Sequence, residues 1–245
     1  MTGRYIGVAL WRRNARQCPG CDKIVPAPKY GSDQRNRKEK MSISQGFRSL
    51  PGYFEHAAQT RLVEAIRCVI ADAPLYIPAM PKTGKEMSVR MTNCGSLGWV
   101  TDQPRGYRYQ AVHPVTERPW PAVPPVLLDL WSAVASYPEP PEACLINYYS
   151  HSARMGSHRD ADEQDFSAPV VSVSLGDDAI FHVGGPRRSD PKIRMTLRSG
   201  DVVVLGGDAR LAYHGIDRML PGTSTLLPEG GRFNLTLRRV TRPDA

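Results

Sequence analysis

The sequence predicts an α+β fold: a β-sandwich or jelly roll buttressed by helices drawn from the N-terminal half. Two observations carry that expectation. Before residue 140 the apolar residues recur at helical spacing. From residue 144 onward short alternating segments follow one another, punctuated by GDD, GGP, RSGD, GGD and PGT turns. Helices followed by a run of short strands is the pattern of strands sharing one core while helices cover one face.

Residues 1–45 show no hydrophobic periodicity. They hold ten Lys and Arg against three acids, a surplus of seven, so a net charge of +8 leaves the remaining 200 residues near neutral. This segment reads as a basic, disordered arm able to hold polyanions without sequence preference. Met41 offers an alternative start that would remove most of it. The domain proper is expected to span 46–245.

Cysteines at 18, 21, 68, 94 and 144 are odd in number and scattered, which fits a reducing compartment better than a disulfide framework. CPGC at 18–21 is half of a zinc-ribbon pattern without its second half, and a solvated loop is the better reading. No apolar run approaches the roughly 20 residues needed to cross a bilayer, and no small-residue cleavage site follows the short apolar patch at the N-terminus. A soluble, cytoplasmic enzyme without membrane contact is expected.

Within the domain, 55–72 (EHAAQTRLVEAIRCVIAD) places Ala58, Leu62, Ala65, Ile66 and Val69 on one helical face. EMSVRMTNCGSLGWVTD (86–102) reads as a strand entering a Gly-rich turn. The Pro-rich, aromatic stretch 106–125 reads as a long ordered loop or lid rather than a regular element. PPVLLDLWSAVASY (124–137) reads as a second helix opened by Pro. Strands are expected at about 144–150, 169–175, 179–184, 193–198, 201–205, 211–216 and 232–240.

The chemistry centres on NYYSHSARMGSHRDADEQD, 147–165. In an extended segment residues i and i+2 point the same way, so His158 and Asp160 can offer two ligands to one metal. Among the other histidines, His214 follows a buried-looking strand and stands near a strand end. Two His and one carboxylate with an open opposite face form the facial triad of non-haem Fe(II) oxygenases, although zinc accepts the same ligands. Taken singly, an HxD pair arises by chance, and a His beside a turn is more often merely hydrogen-bonded.

A third feature shifts that balance. GRFNLTLRR puts Arg232, Asn234, Thr236 and Arg238 on one face of a strand and Phe233, Leu235 and Leu237 on the other. A plain amphipathic strand with a wet polar face is one reading. The other is an inward stripe whose guanidiniums and amide hold a dicarboxylate, since Arg pairs with carboxylates bidentately and keeps its charge when buried.

Together, LINYYSHSARMGSHRDADEQDFSAPVVSVSLGDDAIFHVGG, SGDVVVLGGDARLAYHG and RFNLTLR resemble the AlkB family of Fe(II)/2-oxoglutarate-dependent DNA repair dioxygenases. MSVRMTNCGSLGWVTD and GYRYQ resemble that family's nucleotide-recognition lid. The likeness covers about residues 50–240. It implies a double-stranded β-helix (jelly-roll) core at about 144–240 and a lid at about 88–123. It further implies His158, Asp160 and His214 as Fe(II) ligands, Asn147 and Tyr149 hydrogen-bonding 2-oxoglutarate, Arg232 on its distal carboxylate, and Asn234 and Arg238 completing that pocket. On the substrate side it implies Trp99, Tyr107, Arg108 and Tyr109 in the lid, Asp162 after the triad, and Arg188 in GGPRRSD. Leu205 stands where some members carry a Trp.

The implied reaction consumes 2-oxoglutarate and O2 and removes methyl groups from 1-methyladenine and 3-methylcytosine in alkylated, single-stranded DNA, with a monomer expected. Each side chain also has a plainer reading: the aromatics as packing residues, Asp162 as a surface acid, Arg188 as solvated. No role beyond solvation is expected for Glu163 or Asp165. Two alternatives stand beside this one: the same chemistry on methylated RNA or tRNA bases, and a jelly-roll module that binds metal or nucleic acid without turnover.

Overall fold

Alternation of apolar and polar residues in the second half of the chain resolves into two antiparallel sheets that face each other. The computed structural model describes residues 46–243; the basic segment, with Cys18, Cys21 and Met41, lies outside the described residues. The strands are β1 (Phe47–Leu50), β2 (Arg90–Gly95), β3 (Gly98–Asp102), β4 (Gly106–Gln110), β5 (Ala143–Tyr149), β6 (Met155–His158), β7 (Val170–Gly176), β8 (Asp178–Val183), β9 (Ile193–Leu197), β10 (Val202–Leu205), β11 (His214–Leu220) and β12 (Arg232–Arg238). The helices are α1 (His56–Asp72) and α2 (Pro125–Val134). A six-stranded sheet runs β1-β10-β7-β12-β5-β2, and a four-stranded sheet runs β6-β11-β8-β9, with every pairing antiparallel. This is a jelly-roll arrangement.

The period-2 rule sorts the six-stranded sheet into two faces. Ile146 and Tyr148 of β5, Val171, Val173 and Leu175 of β7, and Phe233, Leu235 and Leu237 of β12 form one core with Leu62, Ile66 and Val69 of α1 and Leu127, Leu130 and Trp131 of α2. Both helices therefore cover one face of the large sheet. The alternate residues, among them Leu145, Tyr149, Val170, Val203 and Leu205, pack against Ala179, Phe181, Val183 and Ile216 of the small sheet. The polar stripe of β12 lies on this inner side, between the sheets.

Cys94 and Cys144 sit directly opposite one another on β2 and β5 as buried thiols. Among the described residues no helix is long and apolar enough to cross a membrane.

Four strands, β1, β3, β4 and β6, lie outside the expected set. The stretch 106–125 is not wholly loop, because β4 pairs with β3 over Trp99↔Tyr109 and Thr101↔Tyr107. A Gln-Pro-Arg turn joins them, with Gly106 at φ +69° after it and the amide of Arg105 donating to Asp102 Oδ1. That left-handed Gly is what a three-residue hairpin loop needs. β1 and β6 are four-residue edge strands of weak β-forming composition, so alternation has too few residues in which to show.

Candidate active site

His158 ends β6 and His214 begins β11, and the two are direct cross-strand partners. Asp160 follows two residues after His158. Candidate ligand atoms of the three side chains all lie within 4.8 Å of one another. His158 Nε2 is 4.0 Å from Asp160 Oδ1, and His214 Nε2 is 3.9 Å from Asp160 Oδ2. Each imidazole has its Nδ1 at 2.9 Å from a backbone carbonyl, Gly156 for His158 and Ala212 for His214. Nδ1–H then donates and the Nε2 lone pair points at the shared centre, the arrangement in which histidines ligate metals. Burial, and then the neighbouring His158, push His214 down to about 4, so at neutral pH its lone pair is not taken by a proton.

Asp160 is buried, which by itself disfavours its charge. Arg238, His214, His158 and Arg210 together outweigh that and hold the carboxyl well below the usual range. Its Oδ1 accepts from Arg238 Nη2 at 3.0 Å, while its Oδ2 has no hydrogen-bond partner. The donor set therefore fits a divalent metal: two imidazole nitrogens, one free carboxylate oxygen, and a side open to the cavity.

That cavity, about 790 Å³, runs between the sheets and is lined by the triad together with Asn147, Tyr149, Asn234, Thr236 and Arg238. Arg232 is completely buried and stands behind the cavity lining rather than in it, touching it through Asn234. Its Nη2 donates to Ser174 Oγ at 2.8 Å and Asn234 Oδ1 at 2.9 Å, and its guanidinium lies 5.4 Å from the centre of the Tyr149 ring. Nε and Nη1 have no partner, and neither does Asn147 Oδ1. Burial pulls Arg232 down to about 10, which still leaves it cationic. A buried cation with two unused donors, acted on by Asp201 and Asp178 but in no ion pair, is costly unless an anionic ligand completes it. This fits a dicarboxylate.

At the mouth, the β3–β4 hairpin carries Trp99 and Tyr107. Trp99 stacks on Tyr107, with centroids 5.5 Å apart and planes at 21°, and Trp99 Nε1 donates to Asp162 Oδ2 at 2.8 Å. Trp99, Tyr107, Asp162 and Arg188 all line the cavity. Arg188 also sits 5.3 Å over the Tyr213 ring.

Two of the expected substrate-side residues do not line the cavity. Arg108 does not line the cavity; its guanidinium is engaged inside the hairpin, with Asp102 Oδ2 at 2.7 Å and with Gln110 and Gly106. Tyr109 likewise does not line it, and its hydroxyl donates to Glu163. Pleat accounts for Arg108, which faces away from Trp99 and Tyr107; Tyr109 shares their face, and its hydroxyl is held by Glu163, which itself lines the cavity.

The acids after the triad are also not mere solvation. Glu163 is buried, pairs with Arg210 at 3.0 Å, lies 3.5 Å from Arg238 and accepts from Tyr109. Arg210 Nη1 in turn donates to the carbonyl of Asp160 at 2.7 Å. Glu163 thus ties the hairpin to the segment that carries Asp160. Asp165 is buried too and accepts from Tyr137, Ser167 Oγ and the Ser167 amide. The apolar residues around both acids, Phe166 aside, were too few to signal burial. Arg210 in DARLAYHG gave no periodic signal at all.

Residues 46–238 match the family described as the 2OG-Fe(II) oxygenase superfamily. The chain is 52% identical over 200 residues to the alpha-ketoglutarate-dependent dioxygenase AlkB homolog of Caulobacter vibrioides, covering 82% of this chain and 90% of that protein. It is 44% identical over 195 residues to the alpha-ketoglutarate-dependent dioxygenase AlkB of Escherichia coli, covering 78% and 89%. The solved structure of OsALKBH1 superposes with a TM-score of 0.67 at 30% identity, covering 81% of this chain and all of that one. With a matching donor set, a dicarboxylate-ready cation and these relatives, the chain belongs to the AlkB family within the 2OG-Fe(II) oxygenase superfamily, a dioxygenase that uses Fe(II), 2-oxoglutarate and O2.

Proposed function

We propose that the chain demethylates alkylated nucleobases in DNA, 1-methyladenine and 3-methylcytosine first among them. The observation that carries this reading is one cavity lined by a metal-ready triad and, at its mouth, a stacked aromatic pair, with the buried Arg232 behind its lining and joined to it through Asn234. His158, Asp160 and His214 are assigned to Fe(II). Arg232 is assigned to the distal carboxylate of 2-oxoglutarate through its unused Nε and Nη1. Asn147, Tyr149 and Asn234 line the way between. Arg238 keeps Asp160 ionised and oriented at the same end of the pocket.

When bound, the iron with 2-oxoglutarate and O2 supplies the oxidation of the methyl carbon, yielding succinate and CO2. The protein's part is to select, hold and desolvate. A methylated base must leave its stack to reach the metal, and the lid aromatics Trp99 and Tyr107 supply the face it then stacks on, worth roughly 1–3 kcal/mol per base. The two target bases are cationic. Glu163 is already matched by Arg210 and Arg238, so Asp162 is the acid with charge to spare beside the ring, and it favours those bases over neutral ones. Arg188 is placed for a phosphate of the strand. The hydroxymethylated base then releases formaldehyde, which needs no side-chain nucleophile. A single strand is the preferred form because its bases cost least to extrude. The lid is the β3–β4 hairpin with its flanking segments, and the protein acts as a monomer.

The test is mass spectrometry of a single-stranded oligonucleotide carrying one 1-methyladenine after incubation with protein, Fe(II), ascorbate and 2-oxoglutarate, beside a matched RNA. Loss of one methyl that depends on 2-oxoglutarate and is faster on DNA supports the reading. Faster loss on RNA moves the substrate class to RNA, and no loss on either rejects both.

A further inference from the structure

The outer face of the four-stranded sheet carries a second polar site, back to back with the triad. β6 places two residues, Gly156 and Ser157, opposite the single Gly215 of β11, because His158 pairs with His214 while Met155 pairs with Ile216. Such a bulge re-aims a side chain. On the other side Gly215 pairs with His182 of β8. A Cβ at Gly215 would lie 2.6 Å from the Met155 carbonyl oxygen and 2.9 Å from His182 Cε1. Glycine is thus what lets the His182 imidazole lie across the strand.

Phe181 and Val183 point into the core, so His182 belongs to the opposite face, and yet it is 4% exposed. Its Nδ1 is 2.7 Å from Asp217 Oδ1, and the other oxygen of Asp217 accepts from Arg194 Nε at 2.8 Å. Asp217 is therefore satisfied on both oxygens. His182 Nε2 is not: it is buried without a partner, and so is Ser157 Oγ. Both residues line one groove of about 360 Å³, with Arg154, Lys192 and Asp217 around it. Two buried polar atoms without partners in one groove are expected to be completed by something that enters it.

The charge of the surroundings says what enters. Arg154 and Lys192 line the groove, and its one carboxylate, Asp217, is already matched by His182 and Arg194. The groove favours an anion with several acceptor oxygens. The unpartnered Ser157 hydroxyl is free to donate a hydrogen bond to such an anion beside the His182 ring. Arg154, Met155, Gly156, Ser157 and Ile216 border this groove and the triad cavity alike. A strand whose base sits in the cavity has only the edge strand β6 to cross before reaching it.

We propose that this outer groove is a second anion site, built on His182, Ser157 and Lys192, which takes a backbone phosphodiester of the strand whose base enters the cavity. The proposal rests on the nucleic-acid substrate reading above. It gives Gly215 and the β6 bulge a purpose beyond the placement of His158 and His214.

Fluorescence anisotropy of an unmodified single-stranded DNA 12-mer, followed across salt, tests it on the full chain. Lys192→Gln lies on a half-buried surface position and leaves the fold alone; His182→Gln keeps the size and polarity of the ring position. Each is expected to weaken 12-mer binding about three- to tenfold, and Lys192→Gln to reduce the slope of log K against log salt by about 0.7. Equal affinity and slope in both variants and the parent overturn the groove while leaving the substrate reading intact. A parent protein that does not bind the 12-mer removes the substrate reading, and the groove with it. A second arm follows the His182 ring nitrogens by NMR during titration with the 12-mer or with inorganic phosphate. A response to the 12-mer supports the proposal, and a response to inorganic phosphate alone makes the groove a free-phosphate site and overturns it.

Discussion

Arg238 and Asp160 form a buried ion pair in which Nη2 lies 3.0 Å from Oδ1, and the pairing occupies one oxygen of the carboxylate while leaving Oδ2 unpartnered. The arginine thus leaves Oδ2 as the oxygen that would ligate a metal and keeps the group ionised in a site where burial opposes charge. Arg238→Met is expected to weaken metal binding about 10- to 100-fold, the usual scale for losing a group that orients a ligand. Titration with Mn(II) as a redox-inert probe checks this. Unchanged metal affinity would place Arg238 outside the metal centre.

Arg232→Ala removes the buried cation that waits for a carboxylate. Truncating one partner of a buried, hydrogen-bonded charge pair costs roughly 2–5 kcal/mol. The KM for 2-oxoglutarate should therefore rise at least about 30-fold. The check is succinate formation across 2-oxoglutarate concentration; saturation at the parental concentration would contradict the assignment.

Asp162→Asn keeps the hydrogen bond to Trp99 Nε1 available while removing the charge. Demethylation of a 1-methyladenine oligonucleotide should fall about tenfold in kcat/KM, whereas 2-oxoglutarate turnover without nucleic acid should stay within about twofold. Equal losses in both assays would mean that Asp162 supports the fold rather than the cationic base.

Asp165 yields a stability prediction with a definite sign. Hydrogen bonds from Ser167 and then Tyr137 lower its pKa to about 2. A depressed carboxyl contributes stability above its unfolded pKa, near 3.9, and loses it as pH falls through the folded value. Asp165→Asn should cost about 1–2 kcal/mol at pH 7, and the gap between variant and parent should narrow between about pH 4 and 2. Urea midpoints at pH 7 and 3 measure it. A gap that stays constant with pH would show that the hydrogen bonds do not depend on ionisation.

Much of this fold was legible because burial imposes a period. Leu62, Ile66 and Val69 repeat at helical spacing, and Phe233, Leu235 and Leu237 alternate against Arg232, Asn234 and Arg238. The structure sorts both sets as their periods require. The triad was legible through the i, i+2 spacing of His158 and Asp160; its third member needed a sheet pairing that spans 56 residues of sequence. Short edge strands carry no period, so β1 and β6 went unseen. Glu163 and Arg210 were illegible for another reason: a buried charge looks like a surface charge until its partner, 47 residues away, is known. The inward engagement of Arg108 with Asp102 was illegible because a segment read as loop shows no alternation of faces.

The central claim is that His158, Asp160 and His214 share one ferrous ion beside a 2-oxoglutarate anchored by Arg232. Anaerobic titration with Fe(II) and 2-oxoglutarate, read by the charge-transfer absorption of the ferrous–keto acid complex, tests it most directly. One iron per chain is expected, with loss of the band in His158→Ala and in His214→Ala, and a band in Arg232→Ala that appears only at much higher 2-oxoglutarate. A full-strength band in either histidine variant would contradict it.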